Sequence, residues 1–171
     1  MRTCSNVKNR QTRAQEEATE QIKQVIKNEN LLDNKLLIVK HNKISFDRGI
    51  VGLIANQLMA EYQRPTALLV ATEIDGELCW SGSARGYSRS NTIPDFRQFC
   101  EDSGFALFAS GHQNAFGLCI PDSKINDFIK YSNEIIKEEF SPSYKVDYIY
   151  KTNTLRPLDI LTIGEYKNLW G

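Results

Sequence analysis

The dipeptide Asp75-Gly76 sits between two apolar runs, "TALLVATE" (66–73) and "ELCWSGSA" (77–84), and limits the possible folds more than any other feature. Asp-Gly readily supplies the two positive-φ positions of a tight hairpin turn, so the flanking runs are predicted to be neighbouring antiparallel strands. Upstream, "KLLIVK" (35–40) has strand length, and "DRGIVGLIANQLMAEYQRP" (47–65) follows with Ile50, Leu53, Ile54, Leu58 and Tyr62 at helical spacing. Asp47 is a candidate N-cap there, and Pro65 lies just beyond the helix end. A strand, a helix, a second strand and a hairpin in this order predict an α/β domain with a mixed β-sheet flanked by helices.

The rest of the chain extends this pattern. Residues 1–30 contain no Gly or Pro and place Val7, Ala14, Ala18, Ile22, Val25 and Ile26 near helical spacing, which predicts a long N-terminal linker helix with a thin apolar stripe. Its front end is basic, through Arg2, Lys8, Arg10 and Arg13, which leaves open a solvated connecting helix or one that faces nucleic acid. After Arg85 the polar stretch "GYSRSNTI" reads as a loop, and Pro94 opens a short helix, "PDFRQFCEDSG", that Gly104 ends. "NAFGLCI" reads as a further strand. The clearest helix is 121–140, which stacks Ile125, Phe128, Ile129, Ser132, Ile136 and Phe140 and offers Asp122 or Ser123 as a cap. "YKVDYIY" then reads as a strand and "LDILTIGEYKNLW" as a helix. The expected sheet therefore uses segments near 36–40, 66–73, 77–84 and 115–120.

Composition excludes several classes. With 171 residues, 41% hydrophobic and 25% charged, the chain can build one ordinary core. No apolar run approaches the roughly 20 residues of a membrane span, and the polar N-terminus lacks the apolar core of a secretion signal, so no membrane partner and a cytoplasmic location are expected. Cys4, Cys79, Cys100 and Cys119 show no CxxC spacing, which argues for reduced thiols over disulfides or zinc. Lys plus Arg and Asp plus Glu both number 21, so any attraction for nucleic acid has to come from a local patch. His41 and His112 are the only histidines, too few for a di-metal hydrolytic centre in this chain alone. GxSxG, P-loop and GxGxxG patterns are absent.

Two stretches of small residues remain, "SGSARG" (81–86) and "ASGHQNAFG" (109–117), which read as loops at the ends of apolar segments. Small residues let backbone N–H groups approach a phosphate, and Arg85 or His112 can donate charge-assisted hydrogen bonds to its oxygens. Taken alone, a glycine-flanked histidine is as readily a packing or turn residue.

In order, "DRGIVGLIANQLMAEYQRPTALLV", "GSARGYS" and "SGHQNAFGL" resemble the accessory C-terminal (DHH-associated) domain of the DHH-family phosphoesterases, most closely the RecJ single-stranded-DNA-specific exonucleases. Gly82, Ser83 and Arg85 match the family's first motif, and Gly111, His112, Ala115 and Gly117 match its GGHxxAAG motif. Ser110 stands where the first glycine is usual, and Phe116 where a small alanine is. "NVKNRQ" (6–11) is similar to the opening of the helix that joins the two RecJ domains, and "LWG" (169–171) stops where the family often continues. Domains implied by the resemblance are a linker helix over 1–32, a substrate-binding domain over 33–150 and the start of a cut C-terminal segment over 151–171.

The resemblance also implies a division of labour. An N-terminal DHH domain of the same polypeptide, outside this chain, would carry the Asp and His-His ligands and manganese or magnesium. This chain would bind single-stranded nucleic acid through Ser83, Arg85, Arg89, Ser110, Gly111 and His112, with Arg97 extending the patch. His112 would contact the phosphate next to the metals, and the chain alone would be inactive. Repair and recombination of DNA are the implied settings. Two related readings stay open: a phosphodiesterase domain for cyclic dinucleotides or short oligonucleotides, and a tRNA-binding module like that appended to alanyl-tRNA synthetases.

Overall fold

A computed structural model describes residues 2–41 and 48–141. Five strands, β1 (Leu37–His41), β2 (Thr66–Ile74), β3 (Glu77–Arg85), β4 (Phe108–His112) and β5 (Ala115–Pro121), form one sheet in the order β1-β2-β3-β5-β4. β1 runs parallel to β2, and every other pairing is antiparallel, so the sheet is mixed as expected. The β2–β3 hairpin turns through Asp75 (φ 52°) and Gly76 (φ 80°), the conformations that the Asp-Gly pair promised.

Helices cover both faces. On one side lie α1 (Arg2–Asn28) and α2 (Arg48–Tyr62), and on the other α3 (Phe96–Asp102) and α4 (Asp122–Ile135). Alternation along the strands feeds two cores: Leu37, Val39 and Leu68 face α1 and α2, whereas Ile38, Leu69, Trp80, Leu118 and Ile120 face the side of α3 and α4. Ala18, Ile22 and Ile26 of α1 are buried in the first core, so the second half of the helix expected to project as a linker is packed into the domain. Lys23 of α1 reaches Glu61 of α2 at 2.8 Å, and that hydrogen bond raises the Lys23 pKa.

Several local expectations are corrected. In α2 the buried stripe is Val51, Ile54, Ala55 and Leu58, and Leu53 is 57% exposed, because 51-54-55-58 is the true i, i+3, i+4, i+7 set. The helix α4 stops at Ile135, where the run to 140 was expected. Ile136 is extended (φ −80°, ψ 105°), yet Ile136 and Phe140 are still buried, from irregular backbone. Neither Asp122 nor Ser123 caps α4: the N-cap position is Pro121, Asp122 accepts from Trp80 Nε1 (2.6 Å), and Ser123 Oγ donates to Glu77 (3.0 Å). α3 is capped by Asp95, which accepts from the Gln98 N–H at 2.9 Å, and Gly104 (φ 72°) follows its end. The sheet also contains a strand, β4, that the segment list lacked. The candidate cap Asp47, the side chains of Val7, Ala14, Arg2, Lys8, Arg10 and Arg13, and the strand and helix expected in "YKVDYIY" and "LDILTIGEYKNLW" lie outside the described residues.

One buried cation ties the connections together. Arg64 is 8% exposed; its Nη1 donates to the carbonyls of Leu32 and Asn34 (2.7 Å each) and its Nη2 to that of Phe140 (2.9 Å). The guanidinium thus joins the turn after α1, the entry to β2 and the segment after α4. Removing it strands three carbonyls, so Arg64→Ala is expected to cost about 3 kcal/mol in urea unfolding. A loss below about 1 kcal/mol would show that water replaces these bonds freely.

Candidate functional site

Both small-residue stretches lie mainly on strands, as expected for 77–84 and for "NAFGLCI", and the second also contains a turn. "SGSAR" is the second half of β3, and "ASGHQNAFG" is the end of β4, a turn and the start of β5. Strand pairing arranges their residues in rows across one face. Arg85 pairs with Ala115, which pairs with His112; Ser83 pairs with Gly117, which pairs with Ser110; Ser81 pairs with Cys119, which pairs with Phe108. The register thus brings Arg85 and His112 into one row, two strand spacings or about 10 Å apart at Cα. Their row continues into Thr66 and the next into Leu68, so this face is the one that α2 covers at β2.

Arg85 owes its position to a glycine on α2. A Cβ added at Gly52 would sit 2.7 Å from Arg85 Nη2 and 3.4 Å from Ser83 Oγ, so the helix leaves room there for both side chains. Arg85 Nη1 donates to the Ala84 carbonyl at 2.7 Å. No carboxylate pairs with Arg85 among the described residues, and burial pushes its pKa below the usual arginine range, although a guanidinium stays a cation at neutral pH. A half-buried charge with no counter-charge favours an anionic ligand.

His112 is exposed at the end of β4, directly after Gly111. Gly111 has φ +140°, and a Cβ there would lie 2.9 Å from the Ala115 carbonyl oxygen, so the strand can reach His112 in this way only through glycine. The turn beyond is held by Asn114, which the sequence reading did not weigh. Its Oδ1 accepts from the Phe96 N–H (3.2 Å), its Nδ2 donates to the Pro94 carbonyl (3.0 Å), and its own carbonyl accepts from the Gly86 N–H (3.0 Å). Asn114 therefore clamps the His112 turn to the chain leaving Arg85. An asparagine in a short turn between small residues was the available signal.

The remaining cations differ. Arg97 lies on α3, whose Phe96 and Cys100 enter the other core, and its Nη1 is 2.7 Å from Glu101 Oε1, so its charge is already paired. Arg89 is exposed in the loop after β3. That loop is anchored by Glu138, which accepts from Ser90 Oγ (2.6 Å) and the N–H groups of Asn91 and Thr92. Burial raises the Glu138 pKa, but these hydrogen bonds outweigh it and the net shift is downward.

Other chemistries find little support among the described residues. Cys79, Cys100 and Cys119 are buried free thiols. Burial pushes Cys119 up to about 11 and Cys100 further, which removes both as thiolates at neutral pH. No three His, Cys, Asp or Glu side chains converge to hold a metal ion, so the described residues do not fit a manganese or magnesium centre. No described helix is long and apolar enough to cross a membrane.

The motif glycines separate into two kinds. A Cβ at Gly82 would lie 2.1 Å from the Leu68 carbonyl oxygen, a clash with the backbone of β2. At Gly117 the nearest atoms would be 3.7 Å or more away, so the fold itself leaves that position open. Gly82→Ala and Gly111→Ala are expected to lose more than about 2 kcal/mol of stability, whereas Gly117→Ala should change it by less than about 1 kcal/mol. Chemical denaturation checks this, and equal losses at Gly82 and Gly117 would refute the distinction.

With the geometry in place, comparison with known proteins adds ancestry. No family model matches the chain. It is 35% identical over 173 aligned positions to YorK of Bacillus subtilis (strain 168), which carries the name of an SPβ prophage-derived single-strand DNA-specific exonuclease, and equally to YorK of Bacillus phage SPβ. The alignment takes in 100% of this chain and 30% of each of those proteins. Among solved structures, a manganese-bound exonuclease RecJ is similar with a TM-score of 0.46 and 13% identity, covering 68% of this chain and 28% of that one. RecJ of Thermus thermophilus with Mg2+ gives 0.49 and 15%, covering 76% of this chain and 18% of that one. The 35% identity to YorK along the whole of this chain, which spans 30% of the YorK length, and the ordered Arg85 and His112 motifs together support the resemblance to a RecJ-like domain of the DHH phosphoesterases.

Proposed function

We propose that the chain is the substrate-contacting domain of a RecJ-like single-strand exonuclease, with Arg85 and His112 as donors to the phosphate backbone. The observation that carries this reading is the half-buried Arg85 cation, without a carboxylate partner among the described residues, in one register row with the exposed His112. Ser83, Ser110 and Gly111 lie beside these two and supply hydroxyl and backbone groups suited to further phosphate oxygens. Arg89 serves as an outlying contact. Asn114 sets the distance between the two donors.

Cleavage belongs to a larger polypeptide on this reading. The chain spans 30% of the length of the YorK proteins, and its described residues offer no metal-binding group. A DHH domain elsewhere in the same protein would hold manganese or magnesium, which supply the activated water when bound. The role of His112 is then to donate to the phosphoryl oxygens where charge develops, and that of Arg85 is to hold the strand.

Binding of single-stranded DNA by the 171-residue chain, followed by fluorescence anisotropy, tests the proposal. With two charge-assisted contacts and a net charge of zero, affinity should be weak and fall by about 1.4 log units for each tenfold rise in salt. Arg85→Ala and His112→Ala should each weaken binding about tenfold without changing the melting temperature. Unchanged binding in both variants would dismiss the shared site.

A further inference from the structure

Beyond the phosphate donors, the same sheet face carries an aromatic ring that packing does not explain. Phe108 is 43% exposed on the edge strand β4, two rows from His112. It faces the same side as Arg85: its Cε2 comes within 4.0 Å of where a Cβ on Gly117 would stand. A Cβ on Gly117 would make only ordinary van der Waals contacts, with the carbonyl oxygens of Ser110 and Gly82 at 3.7 and 3.8 Å and with the Phe108 ring, so the glycine leaves a side-chain-free step beside that ring. Phe108 thus walls one side of a shallow slot whose floor is Gly117. Its opposite side is the row of Arg85 and His112, and rows along a strand are about 7 Å apart.

We infer that this slot takes a nucleobase, stacked on or against the Phe108 ring, from the nucleotide whose phosphate Arg85 and His112 hold. The inference rests on the phosphate reading above. Its argument is one of complementarity. An exposed ring beside a side-chain-free floor suits a flat apolar group, and a cation without a carboxylate partner among the described residues, one or two rows away, suits an anion. A nucleotide carries both, separated by a sugar of the right span. Stacking on a sheet-borne aromatic is sequence-tolerant, because every base has a π-face. The slot therefore supplies base-dependent affinity without base choice, and it distinguishes a nucleotide chain from a bare polyanion.

The test compares a short oligothymidylate with the same backbone carrying abasic sugars, using the 171-residue chain as wild type, F108A, F108W and R85A. The wild type should prefer the base-bearing strand by about fivefold or more. F108A should abolish that preference while leaving abasic affinity unchanged, and F108W should restore it. R85A should weaken both ligands alike and keep the preference. A preference that survives F108A overturns the slot, as does an F108A that weakens both ligands equally. Loss of preference in F108A with no effect of R85A supports the slot and overturns the phosphate reading alone. Failure of the wild type to bind either strand overturns both. Melting curves for each variant separate these outcomes from unfolding, which the exposure of Phe108 makes unexpected.

Discussion

The pairing of β3 with β2 on one side and β5 on the other is the constraint on which the rest of the molecule depends. Alternation along β3 sends Trp80, Gly82 and Ala84 toward α3 and α4, and Ser81, Ser83 and Arg85 toward the face of α2. A slip of one residue would exchange the two sets, exposing the Trp80 indole and burying the Arg85 cation in an apolar core. Gly82 holds the register, because any side chain there would collide with the Leu68 carbonyl. The glycine-serine composition of this strand is therefore a packing requirement on one face and lines the candidate site on the other. The strand expected over 77–84 is present, and the structure carries it one residue further, through Arg85 of the small-residue motif.

Legibility in the sequence followed from the strength of local signals. The Asp-Gly hairpin, the β1 and β2 runs, α2 and most of α4 announce themselves through turn chemistry and period, and the structure has them where expected. The edge strand β4 did not, since "FASGH" lacks β-branched residues and owes its conformation to pairing with β5. Helix ends were also poorly legible. Ile136 and Phe140 keep the helical spacing but reach the core from irregular chain, with the Phe140 carbonyl bound by Arg64, a partner distant in sequence. Of the site, Arg85 and His112 stood out by residue type and by family resemblance. Their common row, the Gly52 opening for Arg85 and the Asn114 clamp depend on register and packing, which no single segment encodes.

Charge bears on how a neutral chain could hold the proposed anion site. With 21 basic and 21 acidic residues there is no long-range field to draw nucleic acid in. The structure instead neutralises some cations and spares others: Arg97 is paired with Glu101 and Lys23 with Glu61, whereas Arg85 has no carboxylate partner among the described residues and donates to the Ala84 carbonyl. On the proposed reading, specificity for a phosphate chain would reside in a few short contacts of the kind that salt screens least when partly buried. Such a surface suits a domain that closes on a strand already held elsewhere in a larger protein.

The central claim is that the β3–β5–β4 face, and not the basic front of α1, meets the nucleic acid. Hydrogen–deuterium exchange of the 171-residue chain with and without saturating oligothymidylate tests it directly. The account predicts slowed exchange in peptides covering 81–86 and 108–117, with no change in β1 or in α1. Protection confined to residues 2–14, with the two motif peptides unaltered, would contradict it.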